Sequence, residues 1–65
     1  MTNQEMRDIQ RNLNIEYFKI NYKTGVHYWK IENFFNGKSD DLEEKDRKKI
    51  ETMLQDEVKR NQKKK

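Results

Sequence analysis

The sequence predicts an all-α protein, a compact four-helix domain followed by a basic C-terminal tail. Two observations predict this fold. Apolar residues recur at helical intervals of three and four, and Gly or Asn residues interrupt the pattern where helices would end. The chain has no proline, so Gly and Asn alone mark the boundaries. We expect one domain over residues 1–60 and a disordered tail over residues 61–65, which contain no apolar residue.

A capping box predicts the start of the first helix. Thr2 is a preferred N-cap residue, and Glu5 stands three positions later, where its side chain can reach back to the cap. Asn14 predicts that the helix ends close to it, and we expect Arg7 to face water. The apolar stripe of this helix consists of Met6, Ile9 and Leu13.

The chain is organised around residues 15–38, which read as two short helices joined by a tight turn. Gly25 takes a left-handed backbone without steric cost, so it can end one helix and reverse the chain. The earlier helix begins near Glu16, and the later helix covers residues 27–35. The pair Asn36-Gly37 then closes the second of these helices, again as a left-handed element. Helix, short glycine turn and helix together form a helix-turn-helix signature.

A fourth helix follows a polar segment. Ser39, Asp40 or Asp41 can cap it, and the acidic residues after them would lie in its first turn, where the helix dipole favours negative charge. Its buried face is predicted to consist of Leu42, Ile50, Met53, Leu54 and Val58.

The spacing of apolar residues in all four helices converges on one core. We expect the aromatic side chains of the second helix to form core and rim, and these are Tyr17, Phe18 and Tyr22. The residues predicted to be buried together are Ile9, Leu13, Ile20, Ile31, Phe34, Ile50 and Leu54.

The third helix has an unusual outward face. With Ile31 at the centre of the inward face, a rotation of about 100° per residue places Trp29 and Asn33 outward. The same rotation places His27 inward and Tyr28 at the rim. Core packing does not explain a tryptophan on the outward face, so Trp29 indicates an interface.

Several of these residues carry a family resemblance. Lys23-Thr24-Gly25-Val26, Ile31 five residues on, and Phe34-Phe35-Asn36-Gly37-Lys38 together resemble the small phage repressor and Cro-like helix-turn-helix family, over residues 5–56. That family usually has a small residue at the position of Asn21 and a Ser or Thr at the position of His27, so this sequence departs from the family pattern at both positions. The resemblance implies binding of double-stranded DNA as a homodimer, with the second motif helix in the major groove. The DNA-binding residues it implies are Tyr17, His27, Tyr28, Trp29, Lys30, Asn33 and Lys38.

Composition argues against other classes of function. The chain has no cysteine and a single histidine, His27, so we expect no metal site. No pairing of nucleophile and base and no phosphate loop stands out, so we expect neither an enzyme nor a bound cofactor. No apolar run approaches the roughly 18 residues that span a membrane, and no signal-peptide pattern follows Met1. We therefore expect a cytoplasmic protein.

The distribution of charge leaves two functions open. The net charge is +3, but ten of the fifteen basic residues and eleven of the twelve acidic residues lie in residues 1–56. The leading reading is a DNA-binding transcriptional regulator, favoured by the family resemblance, by Asn33 and by the basic tail. The alternative is a phage-encoded protein-binding inhibitor or antirepressor on the same scaffold. It would grip a repressor or host factor through Tyr28, Trp29 and Asn33, and the near-neutral body favours it.

Overall fold

A computed structural model describes residues 1–62, which form four α-helices and contain no strand. Helix α1 spans Asn3–Asn12, α2 spans Tyr17–Thr24, α3 spans Tyr28–Phe35 and α4 spans Glu44–Gln62. The all-α, four-helix prediction is confirmed. Helix α4 includes the first two residues of the predicted tail, and residues 63–65 lie outside the described part of the chain.

The start and end of α1 are fixed by local hydrogen bonds. The Glu5 amide donates to the Thr2 hydroxyl at 3.1 Å, and the Glu5 carboxylate accepts from the Thr2 amide at 2.8 Å. These hydrogen bonds lower the pKa of Glu5. The helix ends where Asn14 takes a left-handed backbone, with φ of 54°, and the Ile15 amide then bonds to the Gln10 carbonyl. The predicted capping box is present.

The core lies where α1 and α2 pack against α4 and α2 packs against α3. Five of the seven residues predicted to be buried together are buried, and Ile9 and Leu13 are only partly buried at the edge of the core. The described core residues are Met6, Ile15, Ile20, Val26, Ile31, Phe34, Phe35, Ile50, Met53 and Leu54.

Helix α2 exposes two aromatic rings that we expected in the core or at its rim. Ile20 is fully buried, whereas Phe18 is 68% exposed and Tyr22 is 82% exposed. Both lie two residues from Ile20, so a rotation of about 100° per residue carries them to the opposite side of the helix. The prediction is wrong for Phe18 and Tyr22. Tyr17 is partly buried and packs against the core, as predicted.

The segment between α3 and α4 is longer than the sequence indicated. Helix α4 begins at Glu44, and the Glu43 carbonyl accepts its first helical hydrogen bond, so the predicted cap at residues 39–41 is wrong. The Ser39 hydroxyl accepts from the Asp41 amide at 3.1 Å, which stabilises a local turn in place of a helix. Of the pair predicted to be left-handed, only Gly37 has a positive φ.

Arg7 ties α1 to the end of α3 and does not face water as predicted. Its Nε donates to the Phe34 carbonyl at 2.8 Å, and its guanidinium lies 4.7 Å from the centre of the Phe34 ring. The same group donates to the Ser39 carbonyl and pairs with Asp40 at 2.6 Å. The hydrogen bond from Arg7 lowers the pKa of Asp40. Arg7 thereby holds the segment after α3 against α1.

A second ion pair joins α2 to α4. The Lys19 Nζ lies 2.8 Å from a carboxylate oxygen of Glu57, which is buried. The hydrogen bond from Lys19 lowers the pKa of Glu57, even though burial acts in the opposite direction. This pair fixes the position of α2 between α3 and α4.

Candidate nucleic-acid interface

The turn between α2 and α3 sets the direction of α3. Gly25 has φ of +77°, as predicted, and its amide closes α2 on the Asn21 carbonyl at 2.9 Å. The Asn21 side chain donates to the Val26 carbonyl at 2.7 Å, and the Thr24 hydroxyl accepts from the Val26 amide at 3.2 Å. The Asn21 side chain therefore joins the last turn of α2 to the segment that leads into α3.

The outward face of α3 is formed by Trp29, Asn33 and Glu32. Trp29 is 60% exposed, Asn33 is partly exposed, and Ile31 on the opposite side is fully buried. The predicted orientation of the helix is confirmed by these exposures. The face offers one large apolar ring beside a side-chain amide, which can donate and accept hydrogen bonds together.

Tyr17 and Tyr28 lie at the junction of α2 with α3. Their rings meet edge to face, with centres 6.3 Å apart, and Tyr17 also stacks on Phe35 at 6.0 Å. The Tyr17 hydroxyl donates to the Asn36 side chain at 3.0 Å. Tyr28 is 44% exposed, in agreement with its predicted place at the rim. Tyr17 is thus engaged in holding the two helices together, whereas Tyr28 presents part of its ring to solvent.

The Lys30 ammonium lies close to two carboxylates. Its Nζ lies 3.7 Å from a carboxylate oxygen of Glu43 and 3.6 Å from one of Asp46, which is buried. The same ammonium lies 5.7 Å from the centre of the Trp29 ring. Two carboxylates beside one ammonium leave this corner of the site without excess positive charge. Lys30 connects α3 to the start of α4, and its ammonium lies over one face of the Trp29 ring.

His27 and Lys38 lie at the two ends of α3. His27 is the N-cap residue and is exposed, so the prediction that it faces inward with Ile31 is wrong. The helical rotation does not extend to it because its backbone is extended, with ψ of 139°. Lys38 is exposed, and its amide donates to the Asn33 carbonyl at 2.9 Å. Both residues are therefore open to solvent at the two ends of α3.

Carboxylates border the site on one side. A shallow depression of about 180 Å³ lies beside Trp29, and Asp41 and Glu43 line it with Asn33 and Ser39. Asp41 and Glu43 were expected in the first turn of α4, but both precede that helix and lie next to α3. The signal that could have found them is the short distance along the chain between the end of α3 and the acidic block.

No protein-family model, curated protein or solved structure matches the chain. The residues described here contain no group of three His, Cys, Asp or Glu side chains arranged to hold a metal ion. Among the helices formed by residues 1–62, none combines the length and apolar character required to cross a bilayer.

Proposed function

We propose that the chain is a small DNA-binding transcriptional regulator of Cro-like type that inserts α3 into the major groove of double-stranded DNA. The observation that carries this proposal is the pairing of a fixed turn with a solvent-facing α3. A left-handed Gly25 follows α2, two more residues lead into α3, and α3 then buries Ile31 while it exposes Trp29. An eight-residue helix held by such a turn has the dimensions of a recognition helix.

Each exposed residue of α3 has a chemical part in this proposal. The Asn33 amide can accept from adenine N6 and donate to adenine N7 together, which gives base preference. The Trp29 ring can contact a thymine methyl group, and Tyr28 lies beside it at the rim. His27 and Lys38, at the two ends of α3, would contact phosphates and fix the register of the protein on the duplex.

The regulator would act by occupying its operator, which blocks polymerase without any chemistry or cofactor. One short helix in one groove gives little specificity, so we propose that two copies bind as a homodimer to half-sites about 34 Å apart. A location in the cytoplasm, where the chain has access to DNA, belongs to the same proposal.

The experiment is selection of a binding site from a pool of randomised duplexes, followed by gel-shift titration of variants. We expect Asn33→Ala to relax preference at one base pair by about 1–3 kcal/mol, and Trp29→Ala to abolish specific binding. Asn12→Ala, which changes an exposed asparagine on α1, and Tyr22→Ala, which removes an exposed ring on α2, are the matched controls. Selection that enriches no sequence, or equal effects of variants and controls, would contradict the proposal.

A protein partner is the second candidate, because carboxylates lie close to Trp29. Asp41 and Glu43 line the depression next to the ring, and Lys30 is already paired with Glu43. Such a surface repels phosphate and suits a partner with apolar and basic groups. An antirepressor or other phage-encoded inhibitor would use Tyr28, Trp29 and Asn33 in this way.

The two candidate functions differ in how binding should respond when the negative charge of Asp41 is removed. For a protein partner, Trp29→Ala and Tyr28→Ala should each cost about 2 kcal/mol or more of binding free energy. Asp41→Asn should weaken that complex, whereas it should strengthen DNA binding by removing a negative charge beside the duplex. A gel-shift titration of Asp41→Asn, run beside pull-down with the same variant, therefore separates them.

A further inference from the structure

An open groove of about 620 Å³ lies between the end of α2 and the middle of α4. Lys23 and Thr24 form its α2 side. Thr24 is followed by Gly25, so the groove lies beside the turn that leads into α3. The residues that line the groove from α4 are Lys48, Lys49, Thr52, Met53 and Asp56.

The groove has an excess of positive charge that the α3 face lacks. Among residues 1–62, neither Lys23 nor Lys49 takes part in an ion pair, and both are exposed. Lys48 meets Glu44 only at 3.9 Å, with both side chains exposed to solvent, so that pair neutralises little. The acidic residue of the groove, Asp56, is paired with Arg60 at 3.3 Å.

The other lysines of α2 and α3 are engaged differently. Lys19 donates to the buried carboxylate of Glu57, and Lys30 lies between Glu43 and Asp46. Neighbouring carboxylates thus compensate the charges of both lysines. The groove therefore contains lysine ammonium groups that carboxylates do not neutralise and that can bind an anionic ligand.

We propose that the groove between α2 and α4 holds the phosphate backbone of the DNA duplex that α3 engages. This inference rests on the proposed function and names a second surface whose phosphate contacts add to those of His27 and Lys38. Lysine is a point charge on a flexible stem, which suits phosphates at variable positions and carries no base preference. Met53 and the lysine stems between the charges provide an apolar floor on which a sugar can pack.

The test is the salt dependence of binding to a duplex of arbitrary sequence, measured by fluorescence anisotropy. Each phosphate contact contributes about 0.9 to the slope of log affinity against log salt concentration. We expect Lys49→Gln to lower that slope by about 0.9, and the double variant Lys23→Gln/Lys49→Gln to lower it by about 1.8. Arg11→Gln, which removes one exposed charge from α1, should leave the slope unchanged.

The outcomes separate this inference from the proposed function. If the double variant keeps the wild-type slope while Trp29→Ala loses specific binding, the groove is not the phosphate surface and the function of α3 stands. If the slope falls but Trp29→Ala and Asn33→Ala bind as wild type, the groove stands and the role of α3 fails. If the wild-type chain binds no duplex at low salt, both proposals fail. Circular dichroism of each variant checks that it is folded.

Discussion

Replacement of Arg7 by alanine tests the contact that holds α1 against the end of α3. The side chain is largely buried, and its Nε donates to the Phe34 carbonyl at 2.8 Å, where the guanidinium also covers the Phe34 ring. A hydrogen bond from a charged group contributes about 1.5–3 kcal/mol, and a cation over a desolvated ring such as the buried Phe34 contributes about 2 kcal/mol. The contacts share one guanidinium and do not add independently, so we expect Arg7→Ala to cost about 2–3 kcal/mol.

Such a loss is large for a domain of this size. Sixty-five residues support a total stability of only about 3–10 kcal/mol. Each kcal/mol corresponds to about 4–8 °C in the melting temperature, so Arg7→Ala should melt roughly 10–20 °C below wild type. Thermal unfolding followed by circular dichroism, with urea unfolding for the free energy, is the assay.

Two further variants divide the contribution of Arg7 among its partners. Arg7→Lys keeps the positive charge but lacks the Nε donor, so its melting temperature should fall between those of wild type and Arg7→Ala. Asp40→Asn should unfold close to wild type, because the Asp40 carboxylate is exposed and its ion pair is screened by solvent. An Arg7→Ala chain that melts within about 2 °C of wild type would show that Arg7 does not hold α1 against the end of α3.

Three other substitutions test the core, the turn and the tie between α2 and α4. Ile31→Ala should cost about 2–5 kcal/mol in urea unfolding, because Ile31 is fully buried, and a smaller loss would contradict the proposed core. Gly25→Ala should cost about 1–2 kcal/mol through its left-handed backbone alone, since an added Cβ meets no atom within 4 Å; Gly37→Ala, with φ of +80°, is the matched control and should cost about as much. The lowered pKa of Glu57 means that its carboxylate stabilises the fold above the ordinary value of 4.5 and that this contribution is lost as pH falls through the folded pKa. Unfolding free energies measured from neutral to acidic pH should therefore fall less steeply for Glu57→Gln than for wild type, and equal slopes would argue against the Lys19 contact.

Local signals in the sequence were sufficient for the first three helices and for the turn between α2 and α3. Thr2 and Glu5 predict the start of α1 because a capping box needs only residues three positions apart. Gly25 predicts the turn because left-handed backbone disfavours other residues. Ile31 and Trp29 were assigned to opposite faces of α3 from the helical rotation alone.

Contacts between distant segments were not predictable in this way. Arg7 reads as a surface residue because its acceptor, the Phe34 carbonyl, lies 27 positions away. The contact between Lys30 and Glu43 depends on the path of the non-helical segment between α3 and α4. The spacing of apolar residues does not determine that path. Phe18 has helical spacing to other apolar residues, but the pattern does not tell which side of α2 another helix covers.

Amide chemical-shift mapping of the full chain would show whether α3 is the helix that reads DNA. The nitrogen-labelled protein would be titrated with its selected duplex, and with a scrambled duplex of equal length as control. If α3 reads the duplex, the selected duplex should shift the signals of Tyr28, Trp29 and Asn33 most strongly, with the Trp29 indole signal among them. The scrambled duplex should leave this face largely unchanged. Equal shifts with both duplexes, or shifts that leave α3 unaffected, would contradict the claim that α3 reads DNA.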